Sequence, residues 1–184
     1  MKTLKTCFGL IAITLTVICH ARTNEEIEDA FAVICDRPEV LFSPAHQKAL
    51  KVFTDSFPAD RLAGLGLPDA AFAWLPESGP CGGPGSPLLI AFVASAARDQ
   101  VSGRKDHVIY RGWQIVLSHY AYLRKTAPDD FPEIPVLEEM AKKEKSGVLA
   151  QEASELEGQK EPIQLLRATE QGKSSGSGES GGER

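Results

Sequence analysis

The stretch that decides the fold is 107-HVIYRGWQIVLSHYAYLRK-125. Its polar side chains recur at helical spacing in one narrow stripe, and the positions around that stripe are apolar or aromatic. A helix that is apolar over most of its circumference is enclosed by other protein elements. We therefore predict an all-α fold, a small irregular bundle of about five helices around the buried central helix 107–125. The polar stripe consists of Arg111, Gln114, Ser118 and Lys125.

Helix start signals surround this central segment. Thr23 and Glu26 have the spacing of a capping box, in which each side chain binds the other residue's backbone amide. The pairs at 43–44 and 86–87 are both Ser-Pro, a capping serine followed by a proline at the first helical position. Asp106 stands at the capping position before the central helix. Runs of alternating β-branched residues are missing from the sequence, so we predict no strands.

Weaker helix signals lie on either side of the central segment. The stretch after Pro58 contains several glycines and prolines, and it predicts at most a short helix over 69–75. A further helix is expected over 135–147, where a proline starts the pattern and a glycine ends it.

The first 21 residues have the layout of a secretory signal peptide. Two lysines precede a 12-residue apolar run from Cys7 to Ile18, and a small-residue site follows that ends at Ala21. The run is too short to cross a bilayer, which takes about 20 residues. We therefore expect a signal peptide over 1–21, cleavage after Ala21, and a secreted or periplasmic protein without a membrane span.

The rest of the chain divides by composition. We expect a helical domain over 22–147 and a charged, Gly/Ser-rich extension over 148–184 that is disordered at its end. Marginal amphipathic helices are compatible with the sequence at 148–156 and 163–166. A protein partner, if there is one, is expected to bind through this extension.

Charge argues against two classes of partner. Without the predicted signal, the chain has 18 basic and 25 acidic residues, a formal charge of −7. An acidic surface repels the phosphates of nucleic acid and the headgroups of anionic membranes. We therefore predict that neither is a partner.

Two cysteines remain after the predicted signal, Cys35 and Cys81. In an oxidising compartment such a pair is more often a disulfide than two free thiols. A bridge across these 46 positions stabilises a fold by about 4 kcal/mol through the entropy of the unfolded chain. Cys81 lies within 77-ESGPCGGPGSP-87, which has no lysine and does not match a phosphate-binding loop. We predict a Cys35–Cys81 disulfide and no cofactor.

Catalysis by this chain is the alternative hypothesis. A small secreted hydrolase would use Cys81, or a carboxylate pair from the acidic stretch 129–139, beside His107 or His119. His119 lies on the apolar central helix, which favours a buried, hydrogen-bonded core histidine instead. The histidines and cysteines do not have metal-ligand spacing, so no metal site is predicted.

Three side chains at the start of the central helix are candidates for contact with a ligand or partner. They are His107, Tyr110 and Trp113, although an aromatic stripe at this spacing more often packs against a neighbouring helix. The sequence as a whole favours an exported, non-catalytic helical domain with a partner-binding or structural role.

Overall fold

A computed structural model describes residues 23–75 and 86–158, which form seven α-helices, two short 3₁₀ helices and no strand. The all-α prediction is confirmed. The predicted signal peptide, Cys81 and the chain from residue 159 onward lie outside the described residues. The elements are α1 Asn24–Asp36, the first 3₁₀ helix Pro38–Val40, α2 Pro44–Ser56, α3 Ala59–Ala63, the second 3₁₀ helix Asp69–Phe72, α4 Pro87–Val101, α5 Val108–Thr126, α6 Pro135–Ser146 and α7 Val148–Glu157.

Helices begin at three of the predicted capping sites, and at two of them the capping hydrogen bonds are present. The Thr23 hydroxyl accepts from the Glu26 amide and the Glu26 carboxylate accepts from the Thr23 amide, both at 3.1 Å. Ser43 Oγ accepts from the His46 amide at 3.2 Å. Ser86 precedes α4 as predicted, but its buried hydroxyl binds no group of the described residues and does not cap the helix.

The segment between α2 and α4 is more helical than predicted. The expected short helix at 69–75 is a 3₁₀ helix that covers only Asp69–Phe72. One further turn, α3, follows directly after Pro58, which takes the capping position. Helix α3 ends at Ala63, and Gly66 then has a positive φ of 65°, a conformation that suits glycine.

The core consists of two clusters that share α4. One cluster lies among α4, α5, α6 and α7, and the other lies among α1, α2 and α4. Phe92 and Ala96 of α4 belong to the first cluster, whereas Ala94 and Ala97 belong to the second. Helix α4 is therefore enclosed on two faces, and it shares the central place in the bundle with α5.

Helix α5 presents the polar stripe to solvent, as predicted. Gln114, Ser118 and Lys125 are exposed and Arg111 is half-buried. Arg111 Nε donates to the buried carboxylate of Asp99 at 2.8 Å, which fixes the start of α5 to the end of α4.

Helix α7 packs into the first cluster, next to α5 and α6. Leu149 is 1% exposed and Ala153 is fully buried. Lys143 of α6 binds the Glu152 carboxylate of α7 at 2.7 Å. The boundary that the sequence suggests after residue 147 thus falls between two helices that share one core.

Candidate functional site

The N-terminus of α5 is capped from α7. The helix begins at Val108, and its capping residue is His107, whose backbone has a positive φ of 59°. The amides of His107 and Ile109 both donate to the Glu157 carboxylate, at 2.9 and 2.8 Å. The prediction that Asp106 caps this helix is therefore wrong, because a carboxylate from another helix binds the free amides. A negative charge at this end also suits the helix dipole.

Tyr110 connects α5 to α6. Its hydroxyl donates to Glu144 Oε1 at 3.0 Å, and Gln114 Nε2 donates to the same oxygen at 2.9 Å. Burial and the neighbouring Glu144 carboxylate raise the pKa of Tyr110. Two of the three predicted contact residues, His107 and Tyr110, therefore hold α6 and α7 against the start of α5.

The third predicted contact residue, Trp113, lines a groove of about 350 Å³. The groove lies between the second 3₁₀ helix, α5, α6 and α7, and its volume is within the range of small-molecule sites. Its floor is formed by Trp74, Trp113, Met140 and Leu149, each less than a tenth exposed. Trp113 Nε1 donates to the Ala71 carbonyl at 2.9 Å, which fixes this indole in the groove wall. We call this site the tryptophan groove.

The rim of the tryptophan groove is partly apolar and partly charged. Val136 is 38% exposed at its edge, and Leu156 lies half-buried beside it. The charged rim residues are Lys143, Glu152 and Glu155, of which Lys143 and Glu152 form the ion pair between α6 and α7. This ion pair leaves the rim with one net negative charge from Glu155.

Trp74 has a buried polar atom that no described residue binds. Its side chain is 2% exposed, and its ring packs edge-on against Phe92 with the centroids 5.9 Å apart. Among residues 23–75 and 86–158, the buried Nε1–H has no hydrogen-bond acceptor within reach. A buried donor left in this state costs about 1–3 kcal/mol. The tryptophan groove therefore has an apolar floor, and the Trp74 N–H is buried out of reach of solvent.

His119 is a core histidine, as the apolar helix predicts. It is fully buried, with Nδ1 at 2.9 Å from the Ile115 carbonyl and Nε2 at 2.9 Å from the Ile34 carbonyl. Burial lowers the pKa of His119, and the two carbonyls oppose this effect. Its ring holds α5 against the last turn of α1 and does not line the tryptophan groove.

Cys35 is buried in the second cluster and has a free thiol in the structure. Its Sγ lies 3.9 Å from the Ala91 carbonyl of α4. Burial raises the pKa of the Cys35 thiol to about 12, which leaves almost no thiolate at neutral pH. Cys81 lies outside the described residues, so the Cys35–Cys81 bridge stays a prediction.

The acidic stretch is partly engaged in structure. Glu138 Oε1 accepts from the Tyr120 hydroxyl at 2.8 Å, and the same hydroxyl accepts from the Ile134 amide at 2.8 Å. These bonds fix the loop that leads into α6. Across residues 23–75 and 86–158, no three histidine, cysteine, aspartate or glutamate side chains come close enough to hold a metal ion.

Comparisons with protein-family models, with curated proteins and with solved structures each find no match to this chain. In the part of the chain that the structure describes, no helix is long and apolar enough to cross a membrane.

Two features of the groove are not predicted by the sequence: the place of Trp74 and the packing of α7 into the core. Trp74 follows a segment broken by glycine and proline, and nothing in the sequence places it beside Trp113. Helix α7 did carry a signal, since Leu149, Ala153 and Leu156 are spaced i, i+4 and i+7, one face of a helix. The marginal amphipathic helix that the sequence allows over 148–156 is present as α7, but the charged composition after residue 147 predicts an extension rather than a helix packed into the core.

Proposed function

We propose that this chain is an exported, non-catalytic helical domain that binds a partner in an envelope or extracellular assembly. The observation that carries the proposal is the tryptophan groove, a concave site with an apolar floor and the exposed Val136 at its edge. Two of the groups that the hydrolase alternative would use have structural roles: both ring nitrogens of His119 lie 2.9 Å from backbone carbonyls, and Glu138 accepts a hydrogen bond from the Tyr120 hydroxyl.

The Cys35–Cys81 bridge is part of this proposal. The Cys35 thiol lies beside Ala91, near the start of α4, and Cys81 precedes Pro87 by six residues. Five or six residues of chain reach at most about 20 Å, enough to bring Cys81 back to this end of α4. A bridge here would attach the Gly/Pro-rich loop to α1.

Thiol titration tests this bridge and the hydrolase alternative together. The protein is purified without reductant after export, and thiols are counted before and after denaturation. We expect no reactive thiol in either state and an intact mass that begins at Arg22. A fast-reacting thiol in the native protein would support the hydrolase with Cys81 as its nucleophile, and would contradict the proposal.

Partner binding is tested with two matched surface variants. Val136 is 38% exposed at the rim of the groove, and Val101 is 44% exposed at the end of α4. If the groove is the contact, Val136→Glu abolishes capture of the partner by cross-linking, whereas Val101→Glu leaves capture unchanged.

A truncation after Gly158 tests whether the partner binds at the groove or, as the sequence predicts, through the C-terminal extension. It removes residues 159–184 and keeps α7 in place. Loss of the partner on truncation, with normal capture by Val136→Glu, would assign binding to the extension and contradict the role of the groove.

A further inference from the structure

We propose that residues 159–168 of this chain bind in its own tryptophan groove, with Ile163, Leu165 and Leu166 against the apolar floor. The inference goes beyond the proposed function, because it assigns the groove an occupant within the same chain and needs no external partner. Four observations carry it: the apolar edge of the groove, the place where the chain leaves α7, and the composition and the charge of the segment that follows.

The edge of the groove offers apolar surface that a short segment would cover. Val136 is 38% exposed there, and Leu156 is half-buried. The floor residues Met140 and Leu149 are each less than a tenth exposed. The volume of about 350 Å³ lies at the small end of the range for ligand sites, which suits a few aliphatic side chains. Covering this surface removes apolar area from water and so favours an apolar occupant.

The described chain ends beside the groove. Helix α7 forms one wall, with Leu156 at the rim, and Gly158 follows the helix as the last described residue. Leu149 lies nine residues before Gly158, about 14 Å along a helix. Ile163 and Leu166 follow Gly158 by five and eight residues, and chains of these lengths reach at most about 17 and 27 Å. The segment is therefore long enough to return along α7 over the length of the groove.

The apolar residues of the C-terminal extension are concentrated at this distance. Within 159–184, the large aliphatic residues are Ile163, Leu165 and Leu166, and no aromatic residue occurs. The Gly/Pro-rich stretch 76–85, which follows the groove residue Trp74 closely, has no large aliphatic or aromatic side chain. Of these two stretches, only the C-terminal one supplies side chains that gain from burial in an apolar groove.

The charges of the segment complement those of the rim. Residues 159–168 contain two basic and one acidic side chain, a net charge of +1, whereas residues 169–184 contain two basic and three acidic ones, a net charge of −1. Lys143 and Glu152 pair with each other at the rim, which leaves the negative charge of Glu155. Attraction to this charge favours the first part of the extension, and salt weakens it.

We expect a weak contact, because ordering the segment costs conformational entropy. A short tether holds the segment near the groove at an effective concentration of about 1 mM. A separate peptide with a Kd of about 1 mM therefore corresponds to a tethered segment that is bound in about half of the molecules. Such binding changes the unfolding constant only about twofold, so the melting temperature of the domain stays within about 1–2 °C.

The methyl group of Met140 reports on the groove in a ¹H–¹³C NMR spectrum of protein labelled at methionine methyls. The sequence contains two methionines, Met1 and Met140, and the exported chain that begins at Arg22 retains only Met140. Met140→Leu assigns the signal. The reporter lies on the floor of the groove, so it responds to an occupant.

Three full-length chains are compared at the same concentration. The first is unmodified, the second (the serine variant) loses the apolar side chains of the segment, and the third, the matched control, loses three glutamines of the same extension. The substitutions are Ile163→Ser, Leu165→Ser and Leu166→Ser in the serine variant, and Gln159→Ser, Gln164→Ser and Gln171→Ser in the control.

We expect the Met140 signal of the control to coincide with that of the unmodified chain. The signal of the serine variant should be displaced, because its groove has lost the occupant. A synthetic peptide of residues 159–173, added to the serine variant, should move the signal in the direction of the unmodified chain with half-saturation at about 1 mM. The same peptide with the three serines should leave the signal in place.

An identical Met140 signal in the unmodified chain and the serine variant, or a signal that the peptide does not move, would overturn the inference. A displacement that shrinks on tenfold dilution would overturn it as well, since the groove would then hold the segment of a second copy. None of these measurements involves the partner, so its capture by Val136→Glu decides the proposed function separately. Where both proposals hold, the serine variant captures the partner about twofold better, because the segment no longer competes.

Discussion

His119 links two helices through one buried ring. Its nitrogens lie 2.9 Å from carbonyl oxygens of α5 and α1, and only a protonated ring donates to both at once. Burial acts in the opposite direction and lowers the pKa of His119. His46 on α2 is 5% exposed, and its pKa is also lowered, by burial first and by repulsion from His119 second. The net result is that the pKa of both histidines lies below its ordinary value in the folded state.

This arrangement predicts loss of stability in mild acid. A histidine whose pKa is lower in the folded state stabilises the fold above its unfolded pKa of about 6.5, and that contribution is lost as the pH falls toward the folded value. The charged groups that act on His119 are Asp36, Glu39 and His46. We expect the urea midpoint to fall between pH 7.5 and pH 5.5, and to fall less in a His46→Gln/His119→Gln protein. A midpoint that is flat or rises toward pH 5.5 would contradict this prediction.

Close contact between α4 and α5 depends on one glycine. A Cβ atom placed at Gly112 would lie 2.6 Å from Phe92 Cδ2, well inside van der Waals contact. Phe92 cannot move aside easily, because it is fully buried and its ring packs against Phe72 and Trp74, with centroids 5.1 and 5.9 Å away. The close approach of α4 and α5 therefore requires a residue without a side chain at position 112.

Gly112→Ala should destabilise the fold although alanine favours helices. The gain in helix propensity is about 1 kcal/mol, and overpacking a buried ring costs about 1–3 kcal/mol. We expect a net loss of about 1 kcal/mol in the free energy of unfolding, measured by urea denaturation. Ser118→Ala, at an exposed site of the same helix, is the control and should change stability by less than about 0.5 kcal/mol. A stabilised Gly112→Ala protein would show that α4 and α5 do not approach this closely.

The cap on α5 predicts that replacing Glu157 destabilises the fold more than replacing Glu155, another glutamate of α7. Glu157 accepts from two amides at the start of α5, whereas Glu155 is exposed and accepts from the Gln151 side chain at 3.0 Å. Glu157→Ala should cost about 1 kcal/mol, the usual effect of losing a cap. Glu155→Ala should stay within about 0.5 kcal/mol. Equal effects in thermal unfolding would contradict the contact between Glu157 and α5.

The sequence predicted elements whose signals are local. Thr23 with Glu26, and Ser43 with the proline after it, mark helix starts through contacts three residues apart, and the structure has helices there. The cap on α5 escaped prediction because Glu157 lies about 50 residues along the chain from the amides it binds. Trp74 escaped for the same reason, since its place beside Trp113 depends on tertiary packing. Local signals were therefore enough to predict the helical bundle. The groove depends on contacts between residues far apart in the sequence, which local patterns do not reveal.

At the scale of the whole molecule, α7 completes both the core and the site. Leu149 lies in the first cluster and on the floor of the tryptophan groove, and Leu156 lies at the rim. Glu152 and Glu157 attach the same helix to α6 and α5. Removal of α7 would expose buried apolar surface and break these polar contacts together, so the groove and the fold depend on the same ten residues.

The most direct test of this account is thermal unfolding of two truncated chains, followed by tryptophan emission. A chain ending at Gly158 retains α7, and a chain ending at Gly147 lacks it. We expect the longer chain to match the full protein in melting temperature and emission maximum. The shorter chain should lose about 2–5 kcal/mol, the range for one buried leucine, and its emission should shift to the red as both indoles meet water. A chain ending at Gly147 that keeps the melting temperature and the emission of the full protein would contradict the account.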